Sequence, residues 1–194
     1  MSEIIKSKLL KKKKPRKTSR KSIENAAIFY LQRFSSSIEN LRRVLMRRVY
    51  RSAQYHNTKP EEDAKIVDSI IYRLIETGVL NDRQFAQMRA NTLYRRGNSS
   101  RVIRAKLTEK GVANEIINEV LESLFDDGEI SDLGAATIFA RKRRLGPYRN
   151  PNNRSEYTKK DMNALARAGF GYNVALKIIN AEKLSDLDED LNFK

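Results

Sequence analysis

The sequence contains no cysteine among its 194 residues. Disulfide bonds and thiolate zinc sites are therefore excluded, and a chain without them suits a reducing cytosol. No apolar run is long enough to cross a membrane. No apolar segment follows the cationic N-terminus in the way that a signal peptide requires. We therefore expect a cytoplasmic protein that does not associate with membranes.

Glycine and proline are also scarce, with 8 and 4 residues. Most of the glycines follow a stretch of helical apolar periodicity, which is where a C-terminal helix cap belongs. No stretch alternates apolar and polar residues with a period of two, so no strand is predicted. The pattern predicts an all-α protein with helices at 23–34, 37–53, 61–77, 82–96, 99–110, 113–126, 132–145, 158–168 and 171–182.

The chain resembles itself at a spacing of 50 residues. Gly78, Leu80, Asn81 and Asp82 are followed by Gly128, Ile130, Ser131 and Asp132 at that spacing. The run that ends at Gly97 corresponds roughly to the one that ends at Gly146. A period of this size indicates a tandem array of small helical units. We predict three three-helix repeats with tails at both ends: a flexible basic tail 1–22, repeats at 23–80, 81–130 and 131–182 (the last with a loop insertion at 147–157), and an acidic tail 183–194.

Catalysis is poorly supported by the residues present. The single histidine, His56, lies in a polar connecting segment, and no glycine-rich phosphate loop with its lysine occurs. The acidic run Glu61 to Asp63 follows Pro60, and it favours the N-terminal dipole of a helix rather than a metal. We expect no enzyme activity, no metal site and no cofactor.

Positive charge is the stronger signal, because Lys+Arg total 39 against 24 for Asp+Glu, a formal charge of +15. A balance this basic favours nucleic acid as a partner. The tail 1–22 holds ten basic side chains and one acid, so it is either an arm that neutralises phosphates or a solubilising segment. The insertion 147–157 mixes Tyr148, Arg149, Arg154 and Tyr157, which suits contact with single-stranded bases or a protein surface.

Two further basic clusters lie on predicted helices. Five arginines from Arg42 to Arg51 form a face that either binds phosphates and acids or is simply solvated. Arg141 to Arg144 end a helix, where cations also favour the dipole. The candidate binding residues are Lys11, Lys12, Lys13, Lys14, Arg16, Lys17, Arg43, Arg47, Arg48, Arg51, Arg95, Arg96, Arg141, Lys142, Arg143 and Arg144.

Several motifs recur in a fixed order. The first runs from Gly78 through Asn81 and Asp82 to Phe85 and Ala86, and Arg95, Arg96 and Gly97 follow it. Leu107, Lys110, Gly111 and Val112 then correspond to Leu165, Ala168, Gly169 and Phe170. With these motifs the chain resembles the RecX family, the regulators of the bacterial RecA recombinase, over roughly residues 24–180.

The resemblance implies an elongated, curved array without a catalytic centre. It also implies a regulatory protein that binds the RecA–DNA filament and modulates, in the direction of inhibition, ATP hydrolysis and strand exchange by RecA. The setting would be DNA recombination, DNA repair and the SOS response. We expect a monomer that contacts single- and double-stranded DNA through phosphates. The alternative is a general DNA-binding or chromosome-coating protein that acts without RecA.

Overall fold

The computed structural model describes residues 14–126, 131–182 and 187, and within these it contains nine α-helices, two short 3-10 helices and no strand. The prediction of an all-α protein is confirmed. Lys11, Lys12, Lys13, Gly128 and most of the acidic tail lie outside the described residues. The helices are α1 (Arg20–Leu31), α2 (Ile38–His56), α3 (Pro60–Glu76), α4 (Asp82–Tyr94), α5 (Ser100–Glu109), α6 (Asn114–Asp126), α7 (Asp132–Arg143), α8 (Arg154–Arg167) and α9 (Tyr172–Asn180), with 3-10 turns at Gly146–Tyr148 and Pro151–Asn153.

Short polar side chains start four of the helices. Asn81, Ser99 and Ser131 each accept a hydrogen bond from a backbone N–H in the first turn of the helix that follows. Such caps satisfy donors that have no partner within the helix. Ser19 forms a capping box with Ser22, so α1 begins at Arg20, three residues before its predicted start.

The chain divides into two compact units. The first comprises the chain up to Phe34 together with Leu41–Thr77. Its buried core includes Ile23 of α1, Leu45 of α2 and Ile70 of α3. An ion pair between Glu24 and Arg73 joins α1 to α3 at the surface.

The segment before α1 belongs to this first unit. The N–H of Thr18 donates to Ser52 Oγ over 3.0 Å, and that hydroxyl donates to the carbonyl of Arg16 over 3.1 Å. His56 Nε2 lies 2.9 Å from the carbonyl oxygen of Pro15. Residues 1–22 are predicted as a flexible tail, whereas Pro15, Arg16 and Thr18 within that range contact α2.

The second unit comprises Ser35–Asn40 and the chain from Gly78 onwards. A single hydrophobic core extends through α4 to α9, from Phe85 to Leu187. Tyr94 is fully buried in it, and its ring meets Phe125 edge-on with centroids 6.1 Å apart. The helices of the second and third predicted repeats therefore share one core, and the repeat boundaries at residues 80 and 130 stay a prediction.

Two junctions within the second unit have the same construction. In one, Ser37 Oγ donates to the carbonyl of Lys110, the residue that ends α5, and the N–H of Ile38 donates to Asp82 over 2.8 Å. In the other, Ser99 Oγ donates to the carbonyl of Ala168, which ends α8, over 2.9 Å.

The second junction also has the aspartate contact. The N–H of Ser100 donates to Asp132 over 2.8 Å. In both junctions, a serine that precedes one helix donates to the carbonyl that follows a later helix. The N–H of the residue after that serine donates to an aspartate at the start of a third helix. The two aspartates of these junctions, Asp82 and Asp132, are also the pair that corresponds in the 50-residue repetition of the sequence.

Candidate nucleic-acid interface

The N-terminal cluster is described from Lys14 onwards. Lys14, Arg16 and Lys17 are exposed, and none of them takes part in the ion pairs seen among the described residues. The carbonyl of Arg16 is held by Ser52, so the backbone beneath these cations is fixed on α2. The contact of this cluster with phosphates stays a prediction.

Helix α2 carries the second cluster on its exposed side. Arg43, Arg47, Arg48 and Arg51 are exposed, whereas the opposite side of the helix, which includes Leu45, is buried. Arg42 is engaged in an ion pair, with its Nε 2.8 Å from Asp68 of α3. An exposed ion pair of this kind contributes little stability, about 0–1 kcal/mol. Arg47, Arg48 and Arg51 are the exposed arginines of α2 that could meet an external anion.

The structure brings the two remaining clusters together. Lys142 Nζ donates to the carbonyl of Arg95 over 3.4 Å, which links the end of α7 to the end of α4. The approach is close because Gly97 has no side chain: an added Cβ would lie 2.8 Å from the backbone nitrogen of Phe139. Six exposed cations share this surface, which we call the α4–α7 patch: Arg95, Arg96, Arg141, Lys142, Arg143 and Arg144.

Arg144 has an unusual backbone in this patch. Its φ is +54° and its ψ is +52°, the left-handed conformation that favours glycine. The next N–H, of Leu145, bonds the carbonyl of Ala140, as Asn98 bonds Leu93 after Gly97. The left-handed residue equivalent to Gly97 is therefore Arg144, and the predicted correspondence between Gly97 and Gly146 is wrong by two positions.

The insertion between α7 and α8 uses its arginines internally. Arg149 donates to the buried carboxylate of Asp161 over 2.7 and 3.1 Å, and its guanidinium carbon lies 4.2 Å from the centroid of the Tyr157 ring. The hydrogen bond with Asp161 raises the pKa of Arg149 above its ordinary value. Asp161 also accepts from the N–H of Gly146 over 2.9 Å. These contacts hold the insertion on α8.

Arg154 is likewise occupied, because its guanidinium donates to the carbonyls of Ile179 and Ala181 near the end of α9. The guanidinium groups of Arg149 and Arg154 are thus engaged within the chain, and the predicted contact of this insertion with bases or a protein surface stays a prediction. A cation that pairs with a buried carboxylate or with carbonyls at the end of a helix cannot bind a ligand without leaving those groups unsatisfied. Sequence alone could not reveal this, since the partners are 12 to 27 residues away.

Within residues 14–126 and 131–182, no group of three His, Asp or Glu side chains is placed to hold a metal ion. No helix in those ranges has the length and apolar character to span a membrane. These features define an all-helical protein of small repeated units whose distinguishing surfaces are clusters of exposed cations.

The comparisons with known proteins identify the kind of repeat protein. The family model described as RecX, second three-helix domain, matches residues 81–121, which cover α4, α5 and most of α6. The chain is 43% identical to the regulatory protein RecX of Myxococcus xanthus over 170 residues, which is 87% of this chain and 90% of that protein. It is 29% identical to the RecX of Agrobacterium fabrum over 168 residues, 86% of this chain and 87% of that one.

The chain belongs to the RecX family. A further relative, the RecX of Corynebacterium efficiens, is 32% identical over 136 residues, 66% of this chain and 61% of that protein. All three relatives are named as regulatory proteins rather than enzymes. No solved structure is a significant match to this chain.

Proposed function

We propose that this protein binds the RecA–DNA filament and inhibits ATP hydrolysis and strand exchange by RecA, and so acts in DNA recombination, DNA repair and the SOS response. The observation that carries the proposal is the relationship to regulatory protein RecX along 87% of the chain. The protein would act as a cytoplasmic monomer, and the hydrolysis would belong to its partner. Inhibition would follow if the bound protein opposed filament growth or a change between filament states.

The α4–α7 patch supports contact with the DNA of such a filament. Its six cations are exposed, and none of them takes part in the ion pairs seen among the described residues. Cations left unpaired at one surface attract phosphates and release the counterions condensed on DNA. Contacts of this kind position a protein on the nucleic acid without reading its sequence, as a regulator that follows a filament requires.

The left-handed backbone of Arg144 adds to this support. A left-handed conformation costs an L-residue about 1–2 kcal/mol, and the equivalent position after α4 is glycine. Strained residues of this kind cluster at functional sites, where the side chain has a use that outweighs the cost. In the patch, that use would be to place a guanidinium beyond the end of α7.

The test measures ATP turnover by RecA assembled on single-stranded DNA while this protein is titrated in. We expect inhibition by the wild type and weaker inhibition by the triple variant Arg96→Gln, Arg141→Gln, Lys142→Gln. A matched triple variant, Arg101→Gln, Lys159→Gln, Lys177→Gln, removes the same charge from exposed positions on α5, α8 and α9, and it should inhibit like the wild type. Unchanged turnover at saturating wild-type protein would overturn the proposal.

The alternative is a DNA-coating protein that needs no RecA, and the exposed cations from Lys14 to Lys17 favour it. Deletion of residues 1–13 together with Lys14→Gln, Arg16→Gln and Lys17→Gln separates the two functions and leaves the contact between the Pro15 carbonyl and His56 in place. A coating protein should lose most of its DNA affinity in this variant, because five basic side chains are deleted and three more are substituted. A filament regulator should keep its effect on RecA.

A further inference from the structure

A groove in the first unit lies between α1, α2 and the segment that precedes α1. Its volume is about 770 Å³. Arg16, Lys17, Lys21 and Arg48 are among the residues that line it, and the groove is lined by no acidic side chain. None of these four cations takes part in the ion pairs seen among the described residues. A concave surface lined by positive charges concentrates the electrostatic field and favours the binding of an anion.

Aromatic side chains share this groove with the cations. Phe29 lines it and is 59% exposed, although an aromatic ring in α1 would normally be buried in the core. The guanidinium carbon of Arg33 lies 4.7 Å from the centroid of that ring. Tyr30 also lines the groove, and its ring lies against Phe34 with centroids 5.2 Å apart. Arg33 covers one face of this exposed ring, and the other face is a platform on which a flat group can stack.

We propose that this groove binds single-stranded nucleic acid, with a base stacked on Phe29 and the neighbouring phosphates against Arg16, Lys21 and Arg48. Single strands present the faces of their bases, whereas in a duplex those faces are covered by neighbouring pairs. A groove of this volume is the size of a small-ligand site, so it holds one or two nucleotides rather than the width of a duplex. An acidic peptide would satisfy the cations but has no flat face for Phe29.

The inference rests on the proposed binding of DNA and adds to it a contact with bases, made by residues outside the sequence-predicted clusters. Phe29, Tyr30 and Lys21 were not among the candidate residues, because a ring on an amphipathic helix is normally read as core. The α4–α7 patch lies in the other unit and contributes nothing to this groove.

The test uses the full chain without any recombinase. Binding to a fluorescein-labelled oligonucleotide of fifteen thymidines is followed by fluorescence anisotropy. Phe29→Ala should weaken binding about tenfold, the loss typical of one stacked base. Tyr72→Ala is the matched control, since Tyr72 is an aromatic residue of the same unit that is 65% exposed and does not line the groove. It should leave the affinity unchanged.

A second oligonucleotide with the same backbone but no bases isolates the stacking. The wild type should bind it more weakly than the thymidine strand, and Phe29→Ala should cost nothing further. The double variant Lys21→Gln, Arg48→Gln should weaken binding to both strands. It should also make the slope of log affinity against log salt concentration shallower by about 0.7 for each lost contact.

Three results would overturn the inference: equal losses from Phe29→Ala on the two strands, no loss from Phe29→Ala, or displacement of the strand by polyglutamate as readily as by unlabelled thymidine oligonucleotide. No recombinase is present in this binding assay, so none of these three results bears on the proposed inhibition of RecA. Likewise, unchanged ATP turnover by RecA would not test the stacking of a base on Phe29.

Discussion

The hydroxyl of Ser99 donates to the carbonyl oxygen of Ala168 across 69 residues of sequence. Ser99 Oγ also accepts a hydrogen bond from the N–H of Val102. One side chain therefore caps the start of α5 and satisfies a carbonyl at the end of α8. Gly169 follows Ala168 with φ +86°, and a Cβ there would lie 2.7 Å from Ser99 Oγ. The contact therefore needs both the small hydroxyl and the absent side chain.

Replacing this serine should cost more than the loss of an ordinary cap. Ser99→Ala removes the cap and also leaves the partly buried carbonyl of Ala168 without a donor, which together should lower the free energy of unfolding by about 2–3 kcal/mol. Ser131→Ala is the matched control, since Ser131 caps α7 through the N–H of Gly134, and it should cost about 1 kcal/mol. Urea denaturation of both variants gives the difference. Equal losses would show that the contact with Ala168 contributes nothing.

The other junction should respond to pH through Asp82. Burial raises the pKa of Asp82 above its ordinary 3.8, and the hydrogen bond from the N–H of Ile38 opposes part of that rise. Because the folded state holds the proton more tightly, this carboxyl contributes stability that is present below pH 3.8 and lost as the pH rises through the folded pKa. Asp82→Asn keeps an oxygen for Ile38 and has no proton to lose.

The measurement for Asp82 is the free energy of unfolding from pH 3 to pH 7 in both proteins. The difference, wild type minus Asp82→Asn, should fall as the pH rises from about 3.8, and it should level off once the carboxyl is ionised in both states. A difference that stays flat across this range, or one that rises, would contradict the assignment.

The local parts of this fold could be predicted from the sequence, and the long-range contacts could not. Helix starts at Asn81 and Ser99 depend on residues three positions away, so the pattern along the chain contains the information. The bond from Ser99 to Ala168 joins positions 69 residues apart, and a capping serine looks the same with or without it. The α4–α7 patch was missed as a single surface for the same reason, since Lys142 and Arg95 are 47 residues apart.

Arg149 shows why the partner of a basic loop residue is hard to predict from the sequence. Its partner Asp161 lies in α8, which begins at Arg154 rather than at the predicted residue 158, and a 3-10 turn at Pro151–Asn153 leads directly into it. The Asp161 side chain is 2% exposed. A charge count along the sequence cannot distinguish a cation with such a partner from one that faces solvent.

Removing the Arg149 side chain should therefore change stability and not binding. Arg149→Ala leaves the buried carboxylate of Asp161 without its charged partner, which should lower the free energy of unfolding by about 2–4 kcal/mol. DNA affinity per folded molecule should be unchanged. Arg141→Ala is the control, because Arg141 is exposed and lies in the α4–α7 patch, so the variant should bind DNA more weakly at nearly unchanged stability. Weaker binding by Arg149→Ala would support the interpretation of the insertion as a contact surface.

Arg144 offers a way to separate strain from charge within the α4–α7 patch. Arg144→Gly and Arg144→Gln both remove the guanidinium, but only glycine relieves the left-handed backbone at φ +54°. We expect the glycine variant to be more stable than the glutamine variant by about 1 kcal/mol, as measured by urea denaturation. Both variants should lose the same DNA affinity. For duplex DNA, the slope of log affinity against log salt concentration should become shallower by about one in both. If both instead bind DNA as the wild type does, the strain at Arg144 has no role in binding.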